Sequence, residues 1–228
     1  MSASLTSLIP GVGTEYAHVA TFAIASVGAV TLGFIARSQL GSGEYSVAPA
    51  STFSIRGLFE LLTEFIQGLT DMVIGEHGRH YVPLFASIFF FVLINNLVGV
   101  IPGITPATEN LNTTLGMGLI IFLYYNYMGL KENGLSYLKH FMGPILWLAP
   151  LMVVIELISH LVRPVSLGLR LANVMKGDHT VLGIFLDLVP VLLPIPFYIL
   201  GIFVCFVQAF VFTLLSMVYV SMSIDHDH

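Results

Sequence analysis

The chain has 228 residues, of which 56% are hydrophobic and 9% charged. Soluble domains carry about a quarter charged residues, so this composition excludes a water-soluble globular protein. Eight Lys and Arg against thirteen Asp and Glu exclude a basic nucleic-acid surface, and the lone Cys205 excludes an intrachain disulfide framework or a multi-cysteine metal site.

Residues 16–36, 81–108, 110–130, 141–155 and 188–224 hold no Asp, Glu, Lys or Arg. All but 141–155 reach the roughly 20 residues that cross a bilayer as a helix. None alternates polar and apolar as an outer-membrane strand does. The reading is an all-α integral membrane protein, one domain over 1–228, without a cleaved signal peptide because the N-terminus lacks a basic region.

The first span is expected at about 16–36, with Ala25, Ala29 and Gly33 as a small-residue stripe that admits another helix. A Gly-, Ser- and Pro-rich loop follows over 37–54. From 55 to 73 the apolar residues, among them Leu58, Leu62, Ile66 and Leu69, recur at helical spacing opposite Arg56, Glu60, Glu64, Gln67 and Asp71. That helix is too charged to span, and its acidic polar face should meet water or a protein.

The second span is expected at about 81–101, ended by Pro102-Gly103 and Pro106, and the third at about 111–130. Two long segments follow, 145–173 and 180–224, with a turn expected at 174–179. As continuous helices, 145–173 and 197–224 would measure roughly 43 and 42 Å, against a hydrocarbon core of about 30 Å. They must tilt, break or protrude, and Pro164, Pro190, Pro194 and Pro196 mark sites of bending. Five spans and one amphipathic surface helix result. Arg37, Arg56, Arg79, Lys131 and Lys139 lie in the connectors 37–80 and 131–144, which puts the N-terminus outside and the C-terminus inside.

Glu156, Ser159, Arg163, Ser166, Arg170 and Asn173 step by 3, 4, 3, 4 and 3 along one hydrophobic segment. That spacing is a single helix face, a polar stripe roughly 25 Å long. His160 flanks it, and Gly168 and Ala172 form a small-residue patch beside it. Glu156 and Arg163 are spaced to pair, which alone would only staple helices. Arg170 has no acid one turn away and cannot shed its proton, so it needs an anion from another helix or chain. Asp178 and His179, side by side, could pass protons or simply solvate the turn. Asp187 follows, and Gln208 in the last span can bond across the bundle. His77-x-x-His80 and the tail Asp225 to His228 read as surface histidines rather than a metal site, and no nucleotide or zinc motif occurs, so no cofactor is expected.

The run Arg163-Pro164-Val165-Ser166-Leu167-Gly168-Leu169-Arg170-Leu171 resembles the signature of subunit a of F-type ATP synthase. The segments Asn96 to Gly103, Pro106 to Thr114 and Gln208 to Phe212 resemble it in order and spacing. The resemblance implies that Arg170 is the essential arginine facing the rotor ring of c subunits. It places Glu156 at the cytoplasmic half-channel, His179 with Asp178 along the outer one, and Gln208 beside the arginine. It implies a hairpin of two long tilted helices for the last two spans. The implied partners are the c ring, b-type peripheral stalk subunits and the F1 sector through the stalks. The implied location is a bacterial inner membrane, with a non-catalytic role. Two departures stand out: Asn173 lies three rather than four after the arginine, and Gly201 stands seven before Gln208, where members often carry His or Glu. Asp178 is expected to supply the group absent at Gly201.

A haem-carrying cytochrome would need paired histidines at one depth, and His140, His160 and His179 are not so placed. An intramembrane protease would need a Ser–His dyad or paired aspartates, which Asp178 and Asp187 match faintly. A secondary transporter would show an inverted repeat, and the sequence has no internal duplication.

Overall fold

The computed structural model describes residues 17–38, 54–101, 104–134, 149–188 and 194–224. The described residues are mostly helical, without strands: α1 (Ala17–Ser38), α2 (Ile55–Val73), α3 (Val82–Gly99), α4 (Leu111–Asn133), α5 (Ala149–Leu188) and α6 (Pro194–Ile224). The chain is a multi-pass, all-α membrane protein. Helix α1, the rod Glu76–Gly99, α5 and α6 are long and apolar enough to cross a bilayer. The remaining expected span, α4, is long enough but less apolar, because it carries Asn112, Thr113, Thr114, Tyr124, Tyr125, Asn126 and Tyr127. It packs most extensively on α5 and also on α6, so part of this polarity is bonded inside the protein rather than facing lipid.

Helix α2 has the expected bounds. Ser54 caps it, its hydroxyl accepting from the Gly57 amide at 3.1 Å, and Arg56 pairs with Glu60 at 2.5 Å. Its apolar face lies on the bundle: Phe59 stacks on Phe90, Phe65 meets Phe206 and Phe210, and Ile66 is fully buried. Gly75, at φ 87°, then turns the chain into a 3-10 helix, Glu76–Tyr81, which Arg79 ties back to Asp71 at 3.1 Å. The second span is therefore this 3-10 entrance followed by α3. Among the described residues no metal-ligand cluster forms, and His80 instead bonds the His77 carbonyl. The C-terminal tail lies outside the described residues.

Three hydrogen bonds gather one end of the molecule: Tyr81 to Glu132 at 3.2 Å, Asn133 to the Ser223 carbonyl at 3.0 Å, and Ser221 to the Val73 carbonyl at 3.2 Å. The α2 end and the C-terminal ends of α4 and α6 thus meet. At the opposite end Gly99 lets the following segment fold back, since a Cβ there would stand 2.6 Å from Pro106.

The turn expected at 174–179 does not exist. Helix α5 runs through it for 40 residues, about 60 Å at 1.5 Å per residue. Lys176, Asp178 and His179 resemble loop residues by charge, yet nothing from 174 to 188 breaks a helix: there is no proline, and Gly177 and Gly183 are tolerated singly. Residues 180–188 accordingly belong to α5 rather than to the last span, which begins at Pro194, where a missing N–H costs nothing. Pro164 sits inside α5. Of the small-residue stripe on α1, Ala25 is buried, whereas a Cβ on Gly33 would meet nothing within 4 Å.

Candidate functional site along α5

One seam of α5 is buried: His160, Leu167, Gly168, Leu171, Ala172 and Met175. The expected small-residue patch lies on it. A Cβ on Gly168 would be 2.9 Å from the Leu115 backbone, and one on Gly118 would be 2.5 Å from the Pro164 carbonyl, so α4 and α5 touch backbone to backbone. The polar stripe occupies the adjoining, open side. Ser159, Arg170 and Asn173 are exposed, and Glu156, Arg163 and Ser166 half-buried. Exposed Ile155, Leu161, Val162, Val165 and Leu169 surround the stripe. Charged groups on a helix long enough to cross a bilayer need water or an answering polar surface rather than lipid.

Three groups occupy different depths on this helix. At one end Arg163 pairs with Glu156 at 3.5 Å and lies over the Tyr219 ring at 5.6 Å. The expected pairing is present, and it uses up both charges. Arg170 makes no hydrogen bond and no ion pair among the described residues. It stands 14 residues beyond Glu156 and eight before Asp178, about 21 and 12 Å along the axis.

The third group converges from four elements. Asp178 is half-buried on α5 and faces α6: a Cβ on Gly201 would lie 3.0 Å from Asp178 Oδ2. His179 donates from Nε2 to the Gly99 carbonyl at the end of α3, and its Nδ1 is 3.4 Å from Glu109 Oε2. Both ring nitrogens therefore face oxygen acceptors. Glu109 Oε2 lies at ion-pair distance but outside hydrogen-bond geometry, and it is buried together with Thr108 Oγ1, Asn95 Oδ1 and Asn96 Oδ1, none of which has a hydrogen-bond partner among the described residues. Asn96 spends its amide on the Cys205 carbonyl at 3.4 Å.

Sequence reasoning missed Glu109, and the signal was available: a single carboxylate in an otherwise uncharged connector between two spans. It also missed that Asn126, Tyr125 and Tyr219 would meet His160 and Arg163. Gln208 is half-buried on α6, two turns beyond Gly201 on a helix, and makes no hydrogen bond among the described residues. The side chain of Asp187 lies outside the described set.

The family described as ATP synthase A chain matches residues 19–221. The chain is 69% identical to the ATP synthase subunit a of Bdellovibrio bacteriovorus over the full length of both. It is 48% identical to that of Trichlorobacter lovleyi and 47% identical to that of Geobacter sulfurreducens, each over 76% of both chains. The open charged stripe thus lies inside the matched region, and the chain is a member of the ATP synthase A chain family.

Proposed function

We propose that this chain is the proton-translocating stator of a rotary F-type ATP synthase, with two offset half-channels that load and unload carboxylates of a c-subunit ring. The observation that carries the reading is Arg170, a permanent cation that is exposed on the stripe, has no partner among the described residues, and lies between two separate groups of titratable side chains. Its guanidinium attracts an ionised rotor carboxylate and offers no site that accepts a proton, which bars a direct leak between the channels.

The group around Asp178, His179 and Glu109 serves the outer half-channel. Its buried acceptors without protein partners are the kind that ordered water satisfies, and its carboxylates and imidazole relay protons at physiological pH. A proton delivered to a rotor carboxylate neutralises it, and only the neutral form passes lipid at low cost. After nearly a full turn the carboxyl discharges near Glu156 on the inner side. Each proton crossing 100 mV provides about 2.3 kcal/mol, which becomes torque; the chain itself forms no covalent product. In this reading the partners are the c ring, b-type stalk subunits and, through the stalks, the F1 sector. The host is a bacterial inner membrane, with the N-terminus outside and the C-terminus in the cytoplasm.

The test is Arg170→Ala in inverted vesicles. Proton-driven ATP synthesis should disappear while the complex assembles at near-normal levels. Synthesis at the wild-type rate would overturn the reading.

A further inference from the structure

The stripe works only if α5 keeps one rotation about its axis. A slip of one residue, about 100°, would turn Arg170 away from any rotor. The glycine contacts at 118 and 168 allow α4 and α5 to approach, but backbone against backbone has little to resist rolling. The directional contacts come from His160, which is 6% exposed. Its Nε2 lies 2.8 Å from Asn126 Oδ1, and the Asn126 amide nitrogen is itself anchored on the Phe122 carbonyl at 2.7 Å. Nε2 therefore carries the proton, and Nδ1 faces the Tyr125 hydroxyl at 3.5 Å. The ring also meets Phe122 and, edge-on, Tyr125, with centroids 5.1 and 5.2 Å away. Tyr125 in turn contacts Tyr219, the ring beneath Arg163.

We infer that His160 is a positioning residue: by bonding Asn126 and Tyr125 it locks the rotation of α5 on α4, and so holds Arg170 and Glu156 on the open face. It touches no transported proton. This inference rests on the stator reading for its consequence, but its geometry is tested separately.

The experiment uses the whole complex in inverted vesicles, in a Cys205→Ala background. A single cysteine replaces Leu167, which is buried on the seam, and is labelled with a membrane-permeant maleimide. Protons pumped per ATP hydrolysed are measured on the same vesicles, per assembled complex. His160→Leu should raise labelling about eightfold, the shift expected when two interhelical hydrogen bonds of ordinary strength are lost, and should lower the pumping ratio. His160→Gln, which keeps an N–H donor, should restore most of both, and Asn126→Leu should reproduce His160→Leu. Assembled complexes in which His160→Leu or Asn126→Leu leaves labelling and ratio unchanged would overturn the lock. So would a glutamine variant no better than leucine. Should Arg170→Ala pump normally, the stator reading falls while the labelling result still decides the lock.

Discussion

Asp178 and Gly201 divide one space between them. With Asp178 Oδ2 lying 3.0 Å from where a Cβ at 201 would be, a side chain at 201 makes the carboxylate give way by a few tenths of an ångström. The proposed relay makes the carboxylate essential. Asp178→Ala should slow proton uptake on the order of a hundredfold, the lower reach of positioned proton-transfer groups, whereas Asp187→Ala should be mild. Gly201→His alone should be neutral or harmful, because it must displace the carboxylate. Combined with Asp178→Ala it should partly restore uptake, since the imidazole then enters the vacated space. Proton-pumping rates of the four variants decide this, and equal, near-normal rates in the two single aspartate mutants would sink the relay. Glu109→Gln belongs to the same set: it removes the charge facing His179 and should slow uptake without lowering the amount of assembled complex. Arg170→Lys should abolish synthesis as alanine does, because an ammonium differs in geometry and can lose its proton when buried.

The two long helices show which parts of the fold the sequence made legible. The 3, 4, 3 spacing from Glu156 to Asn173 reads as one face because the helix fixes that period, and the open stripe follows from it. The Glu156–Arg163 pair was legible for the same reason, seven residues being two turns. The length of α5 was not, since Lys176, Asp178 and His179 carry the composition of a loop while Gly99 and Glu109, which meet His179, and Gly201, which neighbours Asp178, are distant in sequence. No local pattern reveals that a charge is answered from another helix. His160 is the same case, its partners Asn126 and Tyr125 lying 34 and 35 residues away. The close approach at Gly118 was equally hidden, whereas Gly168 was legible beside Ala172. Gly118→Leu should therefore be costly: its Cβ would meet the Pro164 carbonyl at 2.5 Å, a backbone atom that cannot swing aside. Overpacking of this kind costs about 1–3 kcal/mol, and the assembled complex should melt earlier in a detergent thermal-stability assay, with Gly116→Leu, which faces open space, as the control.

At the scale of the whole molecule the two ends differ in kind. One gathers α2, Arg79, Glu132 and the C-terminal end of α6 through the Tyr81–Glu132, Asn133–Ser223 and Ser221–Val73 bonds. The other holds His179, Glu109 and the end of α3. Arg79 and Lys131 lie beside the bonds of the first end, and basic residues near the ends of spans stay on the cytoplasmic side. Helix α2 should then lie along the inner surface, its apolar face on Phe90, Phe206 and Phe210 and its acidic face in water. Glu60 and Glu64 are on that polar face, half-buried and exposed respectively. In a Cys205→Ala background, Glu60→Cys and Glu64→Cys should react with a membrane-impermeant maleimide in inverted vesicles and stay unlabelled in intact spheroplasts. The sign is informative because the same helix cannot be reached from both sides: its Asp71–Arg79 tie and the Ser221–Val73 bond fix it to one end of the bundle. Labelling from the outside only would reverse the orientation of every span, and with it the assignment of the Asp178 group to the outer half-channel and of Glu156 to the inner one.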